Sequence, residues 1–136
     1  MNHHRLDLKV RYCEVDRQDV VYHANYFTWF DLGRMEFLRA LGSSYKEMED
    51  RGILLVVVRA DIRYHRPARL DDELSLTTRV EKLTKSRVHF AYELRRRGED
   101  LLLTTGSTEL ACLDAAGRPR RLPPIFEKVE PGTKSG

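Results

Sequence analysis

A short polar segment ahead of a long apolar stretch contains residues that could act on a carbonyl group. Asp16 has an ordinary pKa of about 3.9, so its carboxylate is ionised at neutral pH and could attack a carbonyl carbon or activate water. A helix that begins near His23 and Ala24 would offer backbone N–H groups without helical partners to the negative charge that develops on the oxygen. We therefore predict Asp16 as a catalytic residue and the backbone N–H of His23 as an oxyanion contact. A loop or capping role is the alternative for Asp16.

Neighbouring side chains of the same segment are candidates for the walls of a site. Tyr22 and Asn25 are predicted to bind substrate, with core packing or helix-start hydrogen bonding as the alternative. The side chain of His23 could be structural or catalytic. Asp19 places a second carboxylate three residues from Asp16, which leaves the assignment of acid and base open.

The hydrophobic period changes along the chain and predicts the elements that position this segment. Apolar residues alternate with charged ones over 5–13, which is typical of a strand with one buried face. Residues 24–41 lack proline and precede Gly42, which favours a helix with glycine in the left-handed position after it. Most of that helix is apolar all round, so we expect it to be wrapped by other elements. Asp31 and Arg34 lie three apart on it and could pair with each other or serve a partner subunit.

After a short helical segment at 44–50, four strand-like runs follow at 52–65, 72–83, 86–97 and 100–114. No helix separates them, which favours an antiparallel meander. The predicted fold is α+β, with a curved antiparallel sheet of about five strands wrapped around one long central helix. We assign residues 1–128 to a single domain and residues 129–136 to a flexible C-terminal tail.

Composition narrows the classes of partner and site. The net charge of +3 comes from basic residues that are dispersed and mixed with 21 acidic ones, so a solvated surface is favoured over a nucleic-acid interface. Such a surface would still attract a polyanionic small molecule. Cys13 and Cys112 form no metal or redox spacing and are expected as reduced cysteines packed in strands, with no metal site. The start of the chain lacks the apolar region of a signal peptide, so a cytoplasmic location is expected.

The segment between strand and helix resembles a known family. Glu14-X-Asp16, followed by Val20-Val21-Tyr22-His23-Ala24-Asn25-Tyr26, is similar to hot-dog thioesterases of the 4-hydroxybenzoyl-CoA and Tol-Pal-associated type. Tyr64-His65-Arg66-Pro67-Ala68 with Asp72, and the region from Glu81 to Ser86, resemble later parts of the family. The family usually has glycine where this chain has Asp19, a residue that tolerates positive φ better than most.

The resemblance implies an acyl-CoA thioesterase that converts an acyl- or aroyl-coenzyme A to the free acid and CoA, with the catalytic carboxylate at Asp16. It places Lys85 at the nucleotide of coenzyme A, with Arg118 and Arg120 as weaker candidates. It also implies a homodimer or homotetramer with active sites between subunits. No cofactor is expected, because coenzyme A is part of the substrate.

Two other functions are compatible with the sequence. Hot-dog hydratases and dehydratases act on acyl thioesters, but they carry an Asp-X4-His spacing, whereas His23 follows Asp16 by seven residues. A non-catalytic acyl-CoA-binding module is the second alternative. Aromatic, short-chain and long-chain acyl groups all remain open, as do thioesters of acyl carrier protein.

Overall fold

The computed structural model describes residues 2–132 and shows one helix against a curved five-stranded sheet. The strands are β1 (His3–Lys9), β2 (Leu54–Tyr64), β3 (Glu73–Leu83), β4 (Arg87–Arg96) and β5 (Leu101–Leu113); the helices are α1 (Asn25–Ala40) and α2 (Tyr45–Asp50). Short 3-10 helices span Tyr12–Glu14 and Pro124–Lys128. The predicted α+β hot-dog arrangement is confirmed. No helix within the described range is long and apolar enough to cross a membrane.

The strand order is β1-β3-β4-β5-β2, and every neighbouring pair is antiparallel. The predicted meander of four strands was wrong in one respect. β3, β4 and β5 form a meander, but β2 lies at the far edge of the sheet beside β5. The reason is the connection from β2 to β3, which passes the start of α1 instead of making a tight turn. There the N–H of Val21 donates to the carbonyl of Ala68 at 2.9 Å, and the N–H of Ala68 donates to the Tyr26 hydroxyl at 3.1 Å.

β1 is shorter than the predicted 5–13 strand. Pairing with β3 stops at Lys9, and the chain then turns into the 3-10 helix in which the N–H of Glu14 donates to the carbonyl of Arg11 at 2.9 Å. Tyr12 is therefore exposed rather than on the buried face. Cys13 lies in this turn and is also exposed, which corrects its predicted place in a strand; Cys112 is buried in β5 as expected.

The long helix packs its aromatic face on the concave side of the sheet. Phe30 stacks on Tyr92 of β4 at 4.2 Å between ring centroids, and Phe37 meets Phe90 edge to face. Burial of these large side chains is the main stabilising contribution to the fold. Gly42 follows the helix with φ of +98°, as predicted.

The sheet does not cover α1 all round, contrary to the expectation from its apolar composition. Thr28, Asp31 and Leu32 are exposed, and Leu32 retains 40% of its accessible surface. Asp31 pairs with Arg34, whose buried guanidinium also donates to the hydroxyls of Tyr45 and Tyr92. The sequence pattern therefore identified a helix with few polar positions. It did not identify which side of that helix stays exposed in a single chain.

Part of the predicted tail can be compared with the structure. Val129 is buried against the core, and the N–H of Gly132 donates to the carbonyl of Val80 at 2.8 Å. Residues 133–136 of the predicted 129–136 tail lie outside the described residues.

Gly106 allows α1 to approach β5 closely, and this contact gives a test of the packing. A Cβ on Gly106 would lie 2.5 Å from a ring carbon of Phe30 and 2.9 Å from the carbonyl oxygen of Asp61. We expect Gly106→Ala to lower the free energy of unfolding by about 1–3 kcal/mol, measured by urea denaturation. In a Phe30→Leu background the additional loss should be smaller. An unchanged free energy of unfolding for Gly106→Ala would contradict the packing.

Candidate active site

A small hairpin carries both the candidate carboxylate and the start of α1. Val15 and Val21 form an antiparallel bridge, the N–H of Asp16 donates to the carbonyl of Val20 at 2.9 Å, and the N–H of Tyr22 donates to the carbonyl of Glu14 at 2.9 Å. The turn of the hairpin contains Asp19 with φ of +58°. Asp16 therefore lies on one arm, while the other arm leads directly into the helix.

Asp19 occupies the turn position where the family usually has glycine. Its backbone conformation and its main-chain hydrogen bonds explain why aspartate can replace glycine there. Aspartate is among the few residues that adopt positive φ with little strain. Its N–H donates to the carbonyl of Asp16 at 3.3 Å, and its carbonyl accepts from the N–H of Leu70 at 3.0 Å. These bonds tie the hairpin to the β2–β3 connection without using the Asp19 carboxylate.

The carboxylate of Asp16 is exposed to solvent and only lightly engaged. Its Oδ1 accepts the backbone N–H of Gln18 at 3.0 Å, and Oδ2 has no hydrogen-bond partner within residues 2–132. This Asx-type bond fixes the side chain and leaves one oxygen free to meet a carbonyl carbon or a water molecule.

Glu14 is the buried centre of the hairpin base. Only 5% of its surface is accessible, and its carboxylate accepts from the backbone N–H of Arg11 at 2.8 Å and the Trp29 indole at 2.7 Å. Burial by itself raises the pKa of Glu14. The bonds from the Arg11 backbone, the Arg11 guanidinium and Trp29 outweigh burial, so the pKa lies below its ordinary value. Glu14 is thus an ionised anchor between the 3-10 turn and α1.

This anchor predicts a pH-dependent contribution to stability. Because the folded-state pKa of Glu14 is lowered, its contribution is present above the unfolded pKa of about 4.3 and is lost as pH falls through the folded value. We expect Glu14→Gln to cost about 1.5–3 kcal/mol in free energy of unfolding at pH 7, and less near pH 3. Urea denaturation at both pH values measures this loss in free energy of unfolding. The substitution Glu127→Gln, at an exposed glutamate, is the control. A cost independent of pH would contradict the ionised anchor.

The start of α1 presents free backbone donors. Among residues 2–132, no acceptor binds the N–H of His23 or of Ala24. The carbonyl of His23 accepts the Tyr64 hydroxyl at 2.8 Å. These N–H groups lie at the positive end of the helix dipole, where they can stabilise an anionic oxygen.

The remaining predicted residues of this segment have different surroundings. The ring of Tyr22 is half exposed and packs against the His23 ring, with centroids 4.5 Å apart. The side-chain amide of Asn25 donates to the carbonyl of Glu14 at 2.8 Å. Asn25 thus makes the helix-start hydrogen bond that was the alternative to a wall of the site, whereas Tyr22 and His23 are free to contact a ligand.

The predicted coenzyme A cations do not lie near Asp16 in one chain. Lys85 follows β3, and its carbonyl accepts the N–H of Leu122 at 2.8 Å. The backbone N–H of Arg120 donates to the carbonyl of Cys112 at 3.0 Å, and the backbone N–H of Arg118 donates to the carboxylate of Asp114 at 2.9 Å. Asp16 lies at the opposite end of β3, which is roughly 30 Å long at about 3.3 Å per residue. The main-chain contacts place the three residues at one end of the sheet, and the length of the sheet separates them from the carboxylate.

Sequence reasoning did not assign roles to Glu14, Trp29 or Tyr64, although each is tied to the hairpin or the helix start. One signal was available: the single tryptophan lies in an apolar helix, and a buried indole N–H requires an acceptor. No comparable local signal exists for Tyr64, which is 41 residues from its partner.

Comparisons with known proteins agree with this geometry. A family model described as "Thioesterase superfamily" matches residues 18–103. The putative acyl-CoA thioesterase YneP of Bacillus subtilis is 31% identical over 79% of this chain and 78% of its own length. The acyl-CoA thioester hydrolase YbgC of Escherichia coli is 30% identical over 88% of this chain and 89% of its own. The structure of a DHNA-CoA thioesterase from Staphylococcus aureus superposes with a TM-score of 0.85 at 34% identity, covering 94% of this chain and 86% of that one.

The curved sheet around one helix, with a carboxylate hairpin at the helix start, defines a hot-dog enzyme fold. The chain belongs to the thioesterase superfamily and is a thioester hydrolase. The closer resemblance to the 4-hydroxybenzoyl-CoA and Tol-Pal-associated type stays a prediction.

Proposed function

We propose that the protein hydrolyses acyl-coenzyme A thioesters to the free acid and CoA, with Asp16 as the catalytic carboxylate. One observation carries the proposal: the free oxygen of Asp16 and the free N–H groups of His23 and Ala24 are held by the two arms of one hairpin. The relatives named as acyl-CoA thioesterases support the substrate class.

In the proposed reaction, Asp16 removes a proton from water and the resulting hydroxide adds to the thioester carbon. The backbone N–H groups at the helix start hold the oxyanion. When the carbonyl re-forms, the C–S bond breaks and the CoA thiolate takes the proton from Asp16. Direct attack by Asp16 would instead form an acyl anhydride, which water then hydrolyses. No cofactor takes part in either route.

Isotope labelling tests for an anhydride that water attacks at its protein carbonyl. In a single turnover in ¹⁸O water, water activation places the label in the acid product, as does attack of water on the acyl carbonyl of an anhydride. Attack of water on the protein carbonyl of an anhydride would place ¹⁸O in Asp16 and leave the product of the first turnover unlabelled. Mass spectrometry of the acid and of the Asp16 peptide measures both.

The exposed edge of the sheet supports a homodimer. β2 is an 11-residue edge strand in which Val56, Val57 and Val58 are all more than 40% exposed. The other edge, β1, carries His3, Arg5, Asp7 and Lys9 on its exposed face, a charged pattern that discourages strand pairing. We propose that β2 pairs with β2 of a second subunit, as a dimer or as half of a tetramer.

Such a dimer would reunite the separated parts of the site. β2 runs from Leu54, beside the cation-bearing end of the sheet, to Tyr64, beside the helix start. Antiparallel pairing of two β2 strands would bring Lys85 of the partner subunit toward the Asp16 end of the first. The phosphates of coenzyme A would then meet Lys85, Arg118 and Arg120 across the subunit boundary.

A substrate panel tests the proposed function. We expect turnover of at least one class among aromatic, short-chain and long-chain acyl-CoA thioesters, with acyl carrier protein thioesters as the comparison. The readout is release of free thiol. Tight binding of acyl-CoA without turnover would instead support a non-catalytic module.

We also propose a cytoplasmic location, where the charged CoA thioesters are made and used.

A further inference from the structure

One hydrogen bond links the edge strand to the candidate oxyanion site. The hydroxyl of Tyr64, the last residue of β2, donates to the backbone carbonyl of His23 at 2.8 Å. The two residues are 41 positions apart, so the bond exists only in the folded chain. It reaches the peptide group immediately before α1.

That peptide group contains a hydrogen-bond acceptor and a hydrogen-bond donor, and a bond to the acceptor makes the donor stronger. The carbonyl of His23 and the N–H of Ala24 belong to the same amide. A hydrogen bond to the carbonyl oxygen withdraws electron density from the nitrogen, and chains of hydrogen bonds polarise one another in this way. The free N–H of Ala24 is therefore a stronger donor when Tyr64 is bound on the other side of the amide.

Buried neighbours fix the direction of the Tyr64 phenol. Its ring meets the ring of Tyr26 edge to face, with centroids 5.1 Å apart. Tyr26 is almost fully buried, and its own hydroxyl accepts the N–H of Ala68 at 3.1 Å. The main chain of Tyr64 is paired with Thr104 of β5. These contacts hold the Tyr64 ring in place, so its hydroxyl is directed at the carbonyl of His23 even though part of the ring is exposed.

We propose that Tyr64 is a positioning residue for catalysis: by holding and polarising the His23–Ala24 amide, it strengthens the Ala24 N–H, one of the donors that stabilise the oxyanion. This inference rests on the proposed function, because it concerns the same oxyanion site. Tyr64 acts through the amide and does not touch the reacting atoms.

The first test removes the hydroxyl alone. Tyr64→Phe should lower kcat about 3- to 10-fold, since one of several oxyanion donors is weakened rather than lost. KM should change less than about twofold, because the interaction strengthens mainly in the transition state. Tyr12→Phe is the matched control, because Tyr12 is 82% exposed and its hydroxyl binds nothing within the described chain. An unchanged kcat for Tyr64→Phe, or a loss confined to KM, would overturn the inference.

A second test separates polarisation from simple anchoring of the loop. Replacing Tyr64 by fluorinated tyrosine keeps the hydrogen bond but makes the phenol a stronger donor. At mildly acidic pH, where the phenol stays protonated, polarisation predicts a kcat above that of the wild type. Anchoring alone predicts no change, and that result would refute polarisation.

The third readout needs no turnover. The probe is an acyl-CoA analogue with CH₂ in place of the thioester sulfur and ¹³C at the carbonyl. Bound to the wild type, its carbonyl resonance should lie further downfield than when bound to Tyr64→Phe; equal shifts would contradict the proposal. This result is independent of Asp16, so it remains decisive if Asp16→Asn proves fully active and the catalytic role proposed for Asp16 is wrong.

Discussion

Asp16→Asn is expected to lower kcat for acyl-CoA hydrolysis by about 10²- to 10⁴-fold, the range typical of a lost general base. The substitution should leave the fold intact, because an asparagine Oδ1 can still accept the N–H of Gln18 at 3.0 Å. What disappears is the negative charge and the basic oxygen that has no partner in the described structure. Steady-state kinetics and urea denaturation of the same preparation measure both expectations.

The neighbouring aspartate gives a matched control. Asp19→Asn changes the same chemical group three residues away, and asparagine also adopts the positive φ of +58° found there. We expect Asp19→Asn to keep near wild-type kcat, because the contacts of Asp19 are made by its main chain. Full activity of Asp16→Asn, or an equal loss in both variants, would show that Asp16 is not the specific catalytic carboxylate.

The second large effect is expected at the exposed edge of the sheet. A Val57→Lys/Val58→Lys double variant places two charges on a strand whose valines are 43% and 48% exposed in the single chain. Its subunits should fold but remain monomeric at micromolar concentration, because like charges would face each other across the proposed strand pair. Activity should fall at least about tenfold, since contacts from the partner's cations to the CoA phosphates, typically 1.5–3 kcal/mol each, would be lost.

Light scattering and thioesterase assays on the same sample measure this coupling. The control is His3→Lys on the opposite edge, which is already charged and is expected to leave both assembly and activity unchanged. A wild-type protein that is monomeric at micromolar concentration would contradict the proposed dimer. A fully active monomeric variant would contradict the shared site while leaving the role of Asp16 intact.

Features that depend on neighbours in sequence were predicted well. Alternation of Leu6 and Leu8 with charged residues identified β1, and Gly42 marked the end of α1. Asp19 at the position of a family glycine predicted a residue able to adopt positive φ, and the turn has that conformation. These properties follow from side-chain period and local backbone sterics, which one sequence displays directly.

Features that depend on which strands meet could not be predicted in the same way. Placing β2 beside β5 requires the 65–72 connection to cross the helix start, and no local residue pattern encodes that choice. The separation of Lys85 from Asp16 follows from that order and from the length of β3. Resemblance named both residues, but only the fold shows that one chain does not bring them together.

The buried anchor of the site was hidden for a related reason. Glu14 is charged and lies among polar residues, so its sequence context suggests an exposed loop position. Folding removes it from solvent because Trp29, 15 residues later, supplies an indole donor and Arg11 supplies two more. Burial of a carboxylate depends on partners that are assembled only by the fold.

A structure of the Asp16→Asn variant with an intact acyl-CoA bound tests the central claim most directly. The account predicts the thioester carbon beside the residue 16 side chain, at about 3–3.5 Å for direct attack or with one water molecule between them for water activation, and its oxygen at the N–H groups of His23 and Ala24. A thioester bound away from the hairpin, with residue 16 and the start of α1 both in contact only with solvent, would contradict it.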